Sequence, residues 1–138
     1  MSNRMELRFS SLAENEAFAR MVISAFLVRA NPALSVVGEV RTAVSEAVTN
    51  AVVHAYAGEG EIALRAALDG DELTVEVEDF GRGIEDVAQA MQPFYTTKPE
   101  DERTGMGFAM MQSFMDEVQV CSCPGKGTLV TMKKALQG

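Results

Sequence analysis

Apolar and polar residues alternate from Met5 to Phe9, with Met5, Leu7 and Phe9 on one side and Glu6 and Arg8 on the other. That period of two predicts a half-buried strand. Ser11 and Glu14 have the spacing of a capping box, which predicts a helix start. The helix is expected to run to about Ala30, with Phe18, Val22, Ala25 and Phe26 on its core face, until Asn31-Pro32 stops it. Val36, Val40, Val44, Val48 and Val52 then recur at every fourth position and predict a second helix from Val36 to about Tyr56. β-branched residues are mediocre helix formers, so this helix needs packing partners. Ala57-Gly58-Glu59-Gly60 ends it. Alternation returns in Glu61 to Leu68 and Glu72 to Glu78, joined by the hairpin chemistry of Asp69-Gly70-Asp71. Residues 79–106 are rich in Gly, Thr and charge, with at most a short helix near Glu85 to Ala90. In a small domain such a stretch reads as a lid or binding loop. A helix from Gly107 to about Met115 follows, then a last hairpin, Val118 to Cys123 and Thr128 to Lys134, across Pro124-Gly125-Lys126-Gly127. The order strand, helix, helix, two strands, helix, two strands predicts an α+β domain in which helices cover one face of a mostly antiparallel sheet.

At 138 residues, with no internal repeat or linker, the chain is read as a single domain spanning 1–138. Its 20 acidic and 12 basic residues leave a net charge of −8, which argues against direct nucleic-acid binding. A few amides and cations can nevertheless hold a phosphate chain locally. No apolar run approaches the roughly 20 residues that span a bilayer. The chain opens on no basic, apolar leader, so a cytoplasmic protein without a membrane partner is expected. Cys121 and Cys123 would share one face of a strand, too close for an unstrained disulfide, and are expected as reduced thiols.

The second helix carries Glu46, Asn50 and His54 four residues apart and therefore on one face. Glu46 lies about 200° around the helix from Val44, so this polar stripe points away from the valines. Asp79-Phe80-Gly81-Arg82-Gly83-Ile84 follows directly on a predicted strand, and its two glycines allow close backbone approach. Thr104-Gly105-Met106-Gly107 precedes a helix, where free amides and the helix dipole can cradle a phosphate. Gly127-Thr128 sits in the terminal hairpin.

These four boxes, in this order, resemble those of the GHKL, or Bergerat-fold, ATPases, which include gyrase-like, chaperone-like, histidine-kinase-like and mismatch-repair proteins. Ala43 to Tyr56 (AVSEAVTNAVVHAY), Pro93 to Pro99 (PFYTTKP) and Arg103 to Phe108 (RTGMGF) look like the serine-protein-kinase branch that acts as anti-sigma factors. Over nearly the whole length the chain resembles the sporulation members of that branch. The resemblance implies a two-layer α/β sandwich with a mostly antiparallel, mixed sheet and an ATP lid. It implies an ATP-dependent serine kinase that inhibits a sporulation sigma factor of RNA polymerase and phosphorylates a serine of an anti-anti-sigma protein. ATP or ADP with Mg²⁺ would be the cofactors, and a homodimer is expected.

By the same resemblance, Asn50 would bind Mg²⁺ through its carboxamide oxygen, and Glu46 would orient or deprotonate the attacking hydroxyl. Asp79 would accept a hydrogen bond from the adenine amino group, Thr128 would add to base recognition, and Gly81 and Gly83 would let the backbone approach the ring. Gly105, Met106 and Gly107 would face the phosphates. In the lid from Phe94 to Thr104, Thr97, Lys98 and Arg103 are candidates for closing on the γ-phosphate, Arg103 as part of the catalytic set. Lys98 could equally be a solvated charge, and Arg103 could pair with Glu102 or Asp101. Glu16 and Arg20 are candidates for contacting a partner protein, or else form an ion pair on a solvated face. Three alternatives stay open: a non-catalytic, nucleotide-gated sigma-binding module, an anti-sigma serine kinase of general stress, and a stand-alone ATP hydrolase.

Overall fold

A computed structural model describes residues 2–84, 86–91 and 107–137. The chain runs through β1 (Ser2–Ser10), α1 (Asn15–Leu27) with a 3-10 turn at Val28–Ala30, and α2 (Leu34–His54). It continues through β2 (Glu61–Asp69), β3 (Glu72–Asp79), a single turn α3 (Val87–Ala90), α4 (Gly107–Phe114), β4 (Glu117–Cys123) and β5 (Gly127–Ala135). The predicted hairpins form where the turn residues stand, Asp69 pairing with Glu72 and Cys123 with Gly127.

The five strands lie in the order β1-β2-β3-β5-β4, and every neighbouring pair is antiparallel. Among the described residues the sheet is therefore wholly antiparallel, where the resemblance implied a mostly antiparallel, mixed one. The reason is topological: β3 and β4 point the same way, but β5 lies between them. Register separates the faces. Leu7, Leu64, Val77, Val130 and Val120 form one transverse row, and Met5, Ala66, Val75, Met132 and Val118 another, all packed into or against the core. The opposite face carries Glu6, Arg65 and Glu76 in one row, with the Arg65 guanidinium bonded to Glu76 at 2.9 Å, to Glu6 at 3.1 Å and to Glu78. Helices cover one face, as the alternation required.

The valine stripe of α2 is the spine of the helical layer. Val40, Val44 and Val48 are fully buried, and Val36 and Val52 pack against the same core, with α2 lying between α1 and α4. The expectations for α1 need two corrections. No capping box forms: Glu14 stands at the N-cap without a side-chain bond, while the Asn15 Nδ2 group donates to the Ser10 carbonyl at 2.9 Å. The core face is also rotated. Ala19, Ile23 and Leu27 are fully buried, whereas Phe18 is 47% exposed and Ala25 faces solvent; Phe26 and Val22 are half-buried. Two apolar stripes about one residue, or roughly 100°, apart run along this helix, and periodicity cannot choose between them. The stripe left outside comprises Phe18, Met21, Ala25 and Val28.

This packing predicts that Ile23→Ala lowers the unfolding free energy by about 2–5 kcal/mol in urea. Ala25→Ser should change it by no more than about 0.5 kcal/mol. The reverse ranking would place Ala25 in the core and Ile23 outside.

Candidate functional site

The inner face of the sheet is apolar until its last row. There Ile62, Asp79, Thr128 and Ser122 stand side by side on β2, β3, β5 and β4. Asp79 and Thr128 are the buried polar residues among those described, each 7% exposed. A buried carboxylate is costly unless donors meet it. Two do: the Gly81 amide at 3.0 Å and the Thr128 amide at 3.3 Å, both on Oδ1. Burial pushes the Asp79 carboxyl above the usual range, the two amides pull it back, and neighbouring Glu78 adds to the rise.

Between this row and α2 lies an open cleft. Val77, Asp79, Thr128 and Val130 floor it, Asn50 and His54 project from α2, and Gly83 and Ile84 close one side. Ala47, Ala51 and Ala55 line the same helix face, and their small side chains leave the space that the valines fill elsewhere. Asn50 and His54 of the polar stripe of α2 are thus half-buried and turned into the cleft. Glu46, one turn before Asn50, has Oε2 3.4 Å from where a side chain on Gly107 would begin, so its carboxylate stands against the first residue of α4.

The glycines act by admitting backbone. A Cβ on Gly81 would lie 2.0 Å from the Ala55 carbonyl oxygen, the same oxygen that accepts from the Arg82 amide at 2.9 Å. The loop after Asp79 is thereby sewn to the end of α2. Gly127 holds φ +122, and a Cβ there would meet the Asp79 carbonyl at 2.1 Å. Gly83 packs on the Cys123 carbonyl while lining the cleft. Cys121 and Cys123 are exposed free thiols on the other face.

Two further residues escape a sequence reading. The Tyr56 hydroxyl accepts from the Phe80 amide at 2.8 Å and donates to the Glu61 carbonyl at 2.6 Å, clamping the end of β3 to the start of β2. Ser122 bonds Thr128 from behind the cleft at 2.8 Å. Only its place between two cysteines that share the outer face signals that its side chain points inward. Glu16 and Arg20 are not among the cleft residues; they pair on α1 at 3.6 Å. Thr97, Lys98, Arg103, Gly105 and Met106 lie outside the described residues.

Residues 9–134 match the histidine kinase-like ATPase domain family. The chain is 52% identical over 134 residues to the anti-sigma F factor of Thermoanaerobacter sp. strain X514, covering 96% of this chain and 94% of that protein. It is 47% identical over 135 residues to the anti-sigma F factor of Clostridium acetobutylicum, covering 97% and 94%. The fold is similar to that of the RsbU and RsbW domains of Rv1364c from Mycobacterium tuberculosis, with a TM-score of 0.72 at 23% identity, over 97% of this chain and 32% of that one. The catalytic domain of the histidine kinase ThkA is similar with a TM-score of 0.58 at 15% identity, over 96% and 97% of the two chains. The chain belongs to the histidine kinase-like ATPase domains and, within them, to the anti-sigma F factor family.

A carboxyl held above its ordinary range favours the protonated folded state, so the stability it contributes is present at low pH and lost as pH rises through the folded value. Asp79→Asn removes that loss. The nucleotide-free variant should melt above the wild type at pH 7, and the difference should shrink toward about pH 3, where an ordinary aspartate is itself protonated. A melting point lowered at pH 7 would contradict this account of the buried charge.

Proposed function

We propose that this protein is an ATP-dependent serine protein kinase that also holds an RNA polymerase sigma factor, in the cytoplasm, and phosphorylates a serine of that factor's protein antagonist. The supporting observation is the cleft itself: a buried carboxylate at one end and a helix-borne amide and acid leading away from it toward the start of α4. The adenine base sits against Asp79 and Thr128, with Gly81 and Gly83 shaping the segment beside it. The phosphates run along α2 toward the amides of Gly105, Met106 and Gly107, where the helix dipole favours negative charge. Thr97, Lys98 and Arg103 supply hydroxyl and cationic groups to close over the γ-phosphate.

The carboxamide oxygen of Asn50 is a hard donor of the kind Mg²⁺ takes. Asn50 would hold the ion together with phosphate oxygens, and among the described residues no group of three or more His, Cys, Asp or Glu could hold a metal. When bound, Mg²⁺ neutralises phosphate charge. Glu46 orients the substrate serine and takes its proton as the serine oxygen bonds to the γ-phosphorus and the bond to the β–γ bridging oxygen breaks. His54, at the end of α2, orders the base end of the cleft.

The anti-sigma F names of the relatives favour the sporulation reading over general stress. The partner surface is assigned to the Glu16–Arg20 pair on α1. The exposed stripe of Phe18, Met21, Ala25 and Val28, with the edge strand β1, supports a homodimer. Among the described residues no helix is long and apolar enough to cross a membrane.

With Mg-ATP and the antagonist protein, one phosphoserine should form. Glu46→Gln should slow transfer at least about 100-fold, the low end for loss of a positioned base, with ATP affinity nearly unchanged. Native-rate transfer by Glu46→Gln would remove Glu46 from the chemistry. ATP binding without transfer in the wild type would leave a nucleotide-gated binding module, and phosphate release without a protein substrate would indicate a hydrolase. Met21→Glu should convert a dimer to a folded monomer by light scattering; a persistent dimer would take α1 out of that interface.

A further inference from the structure

Ser122 does not line the cleft, yet it touches three groups that shape its base. Its Oγ lies 2.6 Å from the Ile84 amide nitrogen, 3.1 Å from the Gly127 carbonyl oxygen and 2.8 Å from the Thr128 hydroxyl. Counting protons leaves one arrangement. The Ile84 amide can only donate, so Ser122 accepts from it. The Gly127 carbonyl can only accept, so the single proton of Ser122 points there. The bond between the two hydroxyls is therefore donated by Thr128. Its proton is directed at Ser122, and the cleft meets its lone pairs. Next to it on β3, Asp79 is an acceptor as well, with both of its amide donors on Oδ1.

We infer that Ser122 is a specificity-positioning residue: by fixing the Thr128 hydroxyl as an acceptor, it makes the cleft floor select a base with an exocyclic amino group over one with a carbonyl at the same position. The inference rests on the assignment of the cleft to a nucleotide base. An amino group brings N–H donors to this floor, whereas a carbonyl oxygen would face a lone pair beside a carboxylate. Without Ser122 the Thr128 hydroxyl rotates and can donate to that carbonyl. A base-contacting residue is thus set by one that the base never touches.

The probe is inosine triphosphate, which carries a carbonyl where ATP carries the amino group. Binding of both nucleotides is measured calorimetrically with the full chain. The wild type should prefer ATP, and Ser122→Ala should narrow the ATP-to-ITP affinity ratio by about fivefold, the worth of one net hydrogen bond. Ser122→Thr, which keeps the hydroxyl, should restore the ratio. In a Thr128→Val background, Ser122→Ala should no longer alter it. If Ser122→Ala fails to melt as a folded protein, Ser122→Cys, with its weak thiol, should shift the ratio in the same direction. An equal loss of both affinities with the ratio intact would make Ser122 a purely structural residue and overturn the inference alone. A wild type that binds neither nucleotide would overturn the cleft assignment, and the inference with it.

Discussion

Everything at the working end of this domain depends on a carboxylate placed where a hydrophobic core would otherwise continue. Asp79 occupies an inward position of β3, in the row after Val77 and Val75. A side chain of that kind is tolerated there only because backbone amides turn to meet it. One amide belongs to the loop that follows, the other to the neighbouring strand. Both require a chain path that brings backbone against backbone, and glycine at 81 and 127 is what permits it. The uncompensated part of the burial remains as a raised carboxyl pKa, a local sacrifice of stability.

The long helix α2 serves two purposes with two faces. Its valines anchor it in the core, and its alanines and polar residues keep a space open above the sheet. Burial of the first face fixes the second with no need for a favourable helix propensity. The same rigid element then carries Glu46 and Asn50 about 6 Å apart along its axis. Phosphoryl transfer depends chiefly on positioning and charge neutralisation, and groups on a packed helix are held more closely than groups on a loop.

Much of this was legible in the amino-acid order, for physical reasons that also mark the limits. Alternation identified β1, β2 and β3, since one face of the sheet is covered and the other carries charge, and the turn residues Pro124-Gly125-Lys126-Gly127 placed the hairpin of β4 and β5. The spacing of Glu46, Asn50 and His54 identified a common face, and the structure turns Asn50 and His54 of that face into the cleft. The orientation of α1 was not legible, because Phe18 and Ile23 belong to competing apolar stripes and only tertiary contacts rank them. Ser11 and Glu14 have the spacing of a cap, but the Ser11 amide is engaged by the Gly60 carbonyl at 2.8 Å, a contact from a distant part of the chain. Gly83 lines the cleft, and Gly81 meets the carbonyl end of α2, a contact no local pattern encodes. Tyr56 and Ser122 were missed for a related reason, since each joins a near partner to one 24 or 38 residues away.

The central claim is that an adenine base seats against the carboxylate of β3. Backbone amide NMR of the full chain titrated with Mg-ADP tests it most directly. The amides of Gly81 and Thr128, which already donate to Asp79, should shift together and saturably, along with Ile84 at the cleft wall. Saturable shifts at the start of α4 with Gly81 and Thr128 unmoved would place the nucleotide elsewhere and contradict the account.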